Sequence, residues 1–78
     1  MPRYFFHIHE EVAVRDEEGI ELADVAAARR QAIAGARDIM SEQVRGGRLG
    51  LRNRVDVEDE RGDSVFSLAF ADAVDIER

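Results

Sequence analysis

The chain has no cysteine, so neither a disulfide framework nor a thiolate zinc centre can hold it together. It has no apolar run near the roughly 18 residues a membrane span needs, and no hydrophobic signal core with a cleavage site at its amino terminus. A cytoplasmic protein that does not enter the membrane is therefore expected. It has no Asn-Gly or Asp-Gly pair to mark a hairpin, no internal repeat and no low-complexity segment. It also lacks positive charge in excess: 17 acidic against 11 basic residues leave a formal net charge of −6, which repels polyphosphate and disfavours nucleic acid as a partner. Gly46-Gly47-Arg48-Leu49-Gly50 is no phosphate cradle, because it follows a helical stretch instead of preceding one. No serine carries the flanking glycines of a hydrolase elbow. The acidic group Asp16, Glu17, Glu18 and Glu21 does not follow calcium-loop spacing and reads as a solvated corner.

What is present fits a single domain over residues 1–78, since 78 residues cannot build a second core after the first. Packing alone must hold it, and a core of this size supplies only about 3–5 kcal/mol of net stability. Residues 1–9, MPRYFFHIH, read as a strand that sends Tyr4, Phe6 and Ile8 to one side and Phe5, His7 and His9 to the other. Val12 and Val14 alternate with Ala13 and Arg15 in a second strand across a tight turn at Glu10-Glu11. Asp16 to Gly19 forms a polar turn, after which Ile20 and Leu22 return toward the core. Asp24 is placed to cap a helix from Val25 to about Val44, with Val25, Ala28, Ala32, Ala36, Ile39 and Met40 on its apolar stripe and Gly46-Gly47 as its stop. Arg29 falls inside that stripe and is expected to lay its methylenes on the core, its guanidinium reaching an acidic group or a carbonyl. A basic linker leads to a third strand with Val55 and Val57. After a turn at Asp59 to Asp63 comes a fourth, Val65 to Phe70, and the segment from Ala71 adds a helical turn or an extension.

The order β-β-α-β-β makes an α+β two-layer sandwich, one amphipathic helix across one face of a small antiparallel sheet. The inward set is Tyr4, Phe6, Ile8, Val12, Val14, Val55, Val57, Phe66, Leu68 and Phe70. One helix covers one face only. The open face then shows Phe5, His7, His9, Ala13, Arg15, Arg54, Asp56, Glu58, Val65, Ser67 and Ala69.

The MPRYFFHIH opening, the DEEGIEL turn, the Ala27 to Arg29 helix start and the closing FADAV resemble a domain-of-unknown-function family of short proteins from rhizobia and related alphaproteobacteria. That resemblance spans nearly the whole chain and implies boundaries but no activity, substrate or catalytic residue. Glu10-Glu11 stands where such sequences often carry Asp with Gly. In topology the chain is also similar to HicB-type antitoxins, through its hairpin, acidic-glycine turn and alanine-rich helix. It lacks their proline-rich segment and DNA-binding domain, so the likeness concerns architecture alone.

Three functional readings follow. The leading one is a non-enzymatic interaction or regulatory module whose surface is Phe5, His7, His9, Arg15, Arg54, Asp56 and Glu58, with a protein or a second copy of itself as partner and no cofactor. The second is a metal-dependent or acid–base enzyme centred on His7 and His9, with Glu11 completing a metal set, because alternation along a strand aims all three the same way. Against it stands the plainer reading of surface histidines paired with Asp56 or Glu58. The third is a weak nucleic-acid binder using Arg45, Arg48, Arg52 and Arg54; the plainer alternative has Arg45 and Arg48 at the helix carboxyl end and Arg54 paired across strands.

Overall fold

The computed structural model describes residues 1–77. Strand β1, Arg3–His9, sits inside the sheet: β4 (Arg54–Glu58) pairs antiparallel along one side of it, and β5 (Ser64–Ala69) pairs with β4. Two short strands, β2 (Ala13–Val14) and β3 (Ile20–Glu21), also pair antiparallel with β1. Helix α1, Val25–Arg45, lies over one face, and a single 3-10 turn, Phe70–Ala73, packs against it. The fold is α+β, a two-layer sandwich on an antiparallel open sheet of five strands.

Helix and sheet meet closely because the helix brings small residues to the contact. Ala28, Ala32, Ala36 and Met40 are buried at four-residue spacing, against Tyr4, Val55, Val57, Leu68 and Phe70. Asp24 accepts the Ala27 amide at 2.8 Å and satisfies one of the first-turn donors. At the other end Gly47 takes a φ of 85°, its amide returning to the Val44 carbonyl while that of Arg48 returns to Gln43. This six-to-one and five-to-two pair of bonds is the Schellman termination that a left-handed residue makes available.

Several expectations are corrected. Val12 and Val14 are not inward: they are 73% and 57% exposed, because Val12 falls in the loop before β2 and β2 itself lies at the margin of the sheet. The first hairpin is not a two-residue turn, since His9 pairs with Ala13 and leaves Glu10, Glu11 and Val12 as the loop. Ile20 does not return to the core but starts a strand of its own and stays exposed, making five strands where four were expected. Val25, assigned to the buried stripe, is exposed at the first helical position. Val65 leaves the open face to pack against the core, because Val57 pairs with Phe66 while Glu58 pairs with Ser64, and Val65 is the extra residue of a bulge. Among the described residues the Arg29 guanidinium bonds neither carboxylate nor carbonyl; it stacks 5.6 Å from the Phe66 ring centroid.

Gly19 is the one glycine that the sheet itself requires. Its φ is +70°, and a Cβ there would stand 2.9 Å from the Tyr4 carbonyl oxygen, from the Arg3 side chain and from the Phe5 ring. Gly19→Ala therefore combines a left-handed strain with a clash against backbone that cannot move aside. We expect it to lower stability by about 1–2 kcal/mol. Urea denaturation checks this; an unchanged midpoint would show that the β2–β3 loop is not held against β1.

Candidate functional site

The site begins with a mismatch of lengths. Val14 lies opposite Ile8 and Ile20 opposite Tyr4, so the five residues 15–19 face only Phe5, Phe6 and His7 of β1. The excess cannot continue the ladder, and the Phe6 amide is left facing outward with no strand carbonyl to receive it. Asp16 takes that place. Its Oδ2 accepts the Phe6 amide at 3.1 Å, and its Oδ1 accepts the amides of Glu18 and Gly19, each at 3.1 Å. Partial burial pushes the Asp16 carboxyl up, but these three amides, with His7 nearby, outweigh it and hold the group below the usual carboxylate range.

His7 is clasped in the same arrangement. The Asp16 amide donates to Nδ1 at 3.0 Å, and Nε2 meets Glu58 Oε1 at 2.9 Å. An amide can only donate, so Nδ1 is the acceptor and the ring proton sits on Nε2, directed at Glu58. The ring is 4% exposed although it projects to the side of the sheet that the helix does not cover. The loop that Asp16 anchors is what covers it. Arg15, from the same loop, approaches Glu58 at 3.9 Å.

One step along the strands a second group repeats the pattern. His9 stands opposite Arg54 in the ladder, yet its Nε2 reaches diagonally to Asp56 Oδ2 at 2.8 Å, as His7 reaches past Asp56 to Glu58. Asp56 also receives Arg54 Nε, at 3.1 and 3.3 Å, and the Ser67 hydroxyl from β5. Burial pushes Asp56 up; the Ser67 hydroxyl, the Arg54 guanidinium and His9 together bring it below its usual range. Phe5, His7, Arg15, Asp16, Glu58 and Glu60 are among the residues lining a shallow depression of about 370 Å³.

Phe5, His7, His9, Arg54, Asp56 and Glu58 thus lie on β1 and β4, with Arg15 following β2, and polar contacts join all of them but Phe5. The pairing of the histidines with Glu58 and Asp56 is present, but His7 is not a surface residue. Arg54 pairs along its own strand with Asp56, two residues on, and not across strands with an acidic neighbour. Glu11 lies exposed in the loop beyond β1, and among the described residues no group of three or more His, Asp or Glu is arranged to hold a metal ion. Arg45 contacts Glu42 at 3.8 Å; Arg48 and Arg52 are exposed, and Arg54 belongs to the sheet cluster. The acidic corner is not wholly solvated, since Asp16 points into the sheet margin. Two participants were missed in the sequence: Asp16, whose signal was the Asp-x-x-Gly spacing of a side-chain-closed turn, and Ser67, whose signal was its position opposite Asp56.

A family model described as Domain of unknown function (DUF6894) matches residues 3–71. No curated protein and no solved structure gives a match.

Proposed function

Because the chain belongs to the DUF6894 family, whose function is unknown, its own surface has to supply the reading, and we propose that it is a binding module that engages a protein partner through the sheet face its helix leaves open. One observation carries this reading. Polar side chains of that face hold one another in place: Glu58 meets His7, and Asp56 gathers His9, Arg54 and Ser67. Side chains already fixed in one conformation lose little freedom when a partner docks, so their hydrogen bonds translate into affinity and register instead of ordering cost. Catalysis draws no comparable support, because both nitrogens of His7 are committed to Asp16 and Glu58.

The test is a comparison of three proteins as baits in extract from the source organism. Arg54→Glu places a third carboxylate beside Asp56 and should scatter that half of the network; Arg30→Glu, on the exposed side of the helix, serves as the control. A specific partner retained by the wild type and by Arg30→Glu, and reduced at least tenfold by Arg54→Glu at equal thermal stability, is the expected result. A partner held equally by Arg54→Glu would overturn the open face as the binding surface.

A further inference from the structure

The two margins of the sheet are treated in opposite ways. At the β2–β3 margin the outward groups of β1 are closed off: Tyr4 and Ile8 pair with Ile20 and Val14, and Asp16 receives the Phe6 amide between them. What lies outermost there is two strands of two residues each, broken by a loop and flanked by Glu10, Glu11, Arg15, Glu17, Glu18 and Glu21. Short, interrupted and charged, that margin rejects further strands.

The β5 margin is longer and carries no charge within the strand, its one interruption being the bulge at Val65. Ser64–Ala69 reads SVFSLA, six residues without a charge or a proline. The Phe70 amide donates to the Asn53 carbonyl at 2.8 Å, and Leu68 and Phe66 lie opposite Val55 and Val57. Hydrogen-bonded and non-hydrogen-bonded pairs alternate along an antiparallel ladder, so Phe66, Leu68 and Phe70 turn their backbone groups toward β4 while Ser67 and Ala69 turn theirs away from it. The side chains beside this row are apolar or small, with Phe66 half-buried under Arg29.

We infer that the β5 margin is a pairing edge for a second copy of this chain, the two β5 strands running antiparallel about a two-fold axis at Ser67. The strand is self-complementary in that register. Ser67 faces Ser67 of the other copy, and on the helix side Phe66 meets Leu68, so the half-buried ring gains an apolar neighbour; the regular ladder runs from Phe66 to Ala69, short of the Val65 bulge. The result is one continuous sheet through both copies, with each helix on the same side and the open faces left free for the partner of the preceding section. The edge and the face are separate surfaces, so either reading can fail alone.

Ala69→Pro is the decisive variant. Ala69 already has a φ of −72° and a ψ of 145°, which proline adopts without strain, and the amide it would remove is one that points away from β4. Sedimentation equilibrium of the wild type is expected to show a monomer–dimer equilibrium in the micromolar range, and Ala69→Pro is expected to weaken it at least tenfold while leaving the far-ultraviolet circular dichroism unchanged. Independently of any substitution, amide exchange at Ser67 and Ala69 should slow at least tenfold between dilute and concentrated wild-type protein. A monomer up to millimolar concentration, a dimer indifferent to Ala69→Pro, or fast exchange at both amides in the dimer would each overturn the inference. A dimer lost instead through Arg54→Glu would assign self-association to the open face.

Discussion

Phe70→Ala is expected to leave most of the molecules unfolded at 25 °C. Phe70 is fully buried, and it stands where the sheet ends and the 3-10 turn begins, its amide bonded to the Asn53 carbonyl. It is the largest side chain in the core with no exposed surface, so nothing at the protein surface can relax into the space it leaves. Removing a buried phenylalanine costs about 3–5 kcal/mol, the sum of lost transfer energy and an unfilled cavity. A domain of this length without disulfide or metal has about the same amount to lose. Phe70→Leu, which keeps most of the volume, should cost far less. Circular dichroism against temperature separates the outcomes: a Phe70→Ala protein with a cooperative transition within a few degrees of the wild type would mean that the core is sustained elsewhere.

The importance of Phe70 is legible in the sequence only in part, and the reason is instructive. Its place in the apolar alternation of the last strand marks it as inward, yet it proves to be the first residue of the 3-10 turn and not the last of the strand. The periodicity gave the right side of the molecule for the wrong element. The helix reads more faithfully because three independent local signals coincide: a capping Asp24, alanines at helical spacing, and a glycine pair able to close a Schellman turn. Val12 and Val14 show where such reasoning stops. Alternation fixes a shared face only for residues that both lie in the strand, and Val12 falls in the loop; the burial of Val14 depends further on what covers the sheet margin, which no local pattern encodes. Phe5, His7, His9, Arg54, Asp56 and Glu58 fall on the strands expected of them, since β1 and β4 keep a strict two-residue period, whereas Arg15 lies in the loop after β2. What the sequence did not disclose was that a five-residue stretch would have to fit against three, and hence that Asp16 and His7 would be drawn together.

That fit makes acid the condition under which Asp16 reveals itself. The carboxyl is held below its usual range in the folded chain, while in the unfolded chain it titrates near about 3.9. A depressed folded value means that the unfolded state takes up the proton first. The stability contributed by Asp16 is then complete above the unfolded value and is lost as pH falls through the lower, folded value. Asp56 is depressed as well and gives a loss in the same direction, so the wild type should weaken steeply below about pH 4. Asp16→Ala removes the acceptor of three amides at once, and the Phe6 amide, partly buried between β2 and β3, has no strand carbonyl to replace it. The expected cost is about 3 kcal/mol at pH 6, two to three charge-assisted bonds net of the water that reaches the Glu18 and Gly19 amides. With Asp16→Asn, which keeps one carbonyl oxygen, the deficit relative to wild type should be smaller at pH 6 and should shrink as the wild-type carboxylate is itself protonated. Urea unfolding of the three proteins from pH 2 to pH 6 supplies the comparison. A deficit for Asp16→Asn that stays constant over that range would show that the charge on Asp16 does not hold the loop over His7.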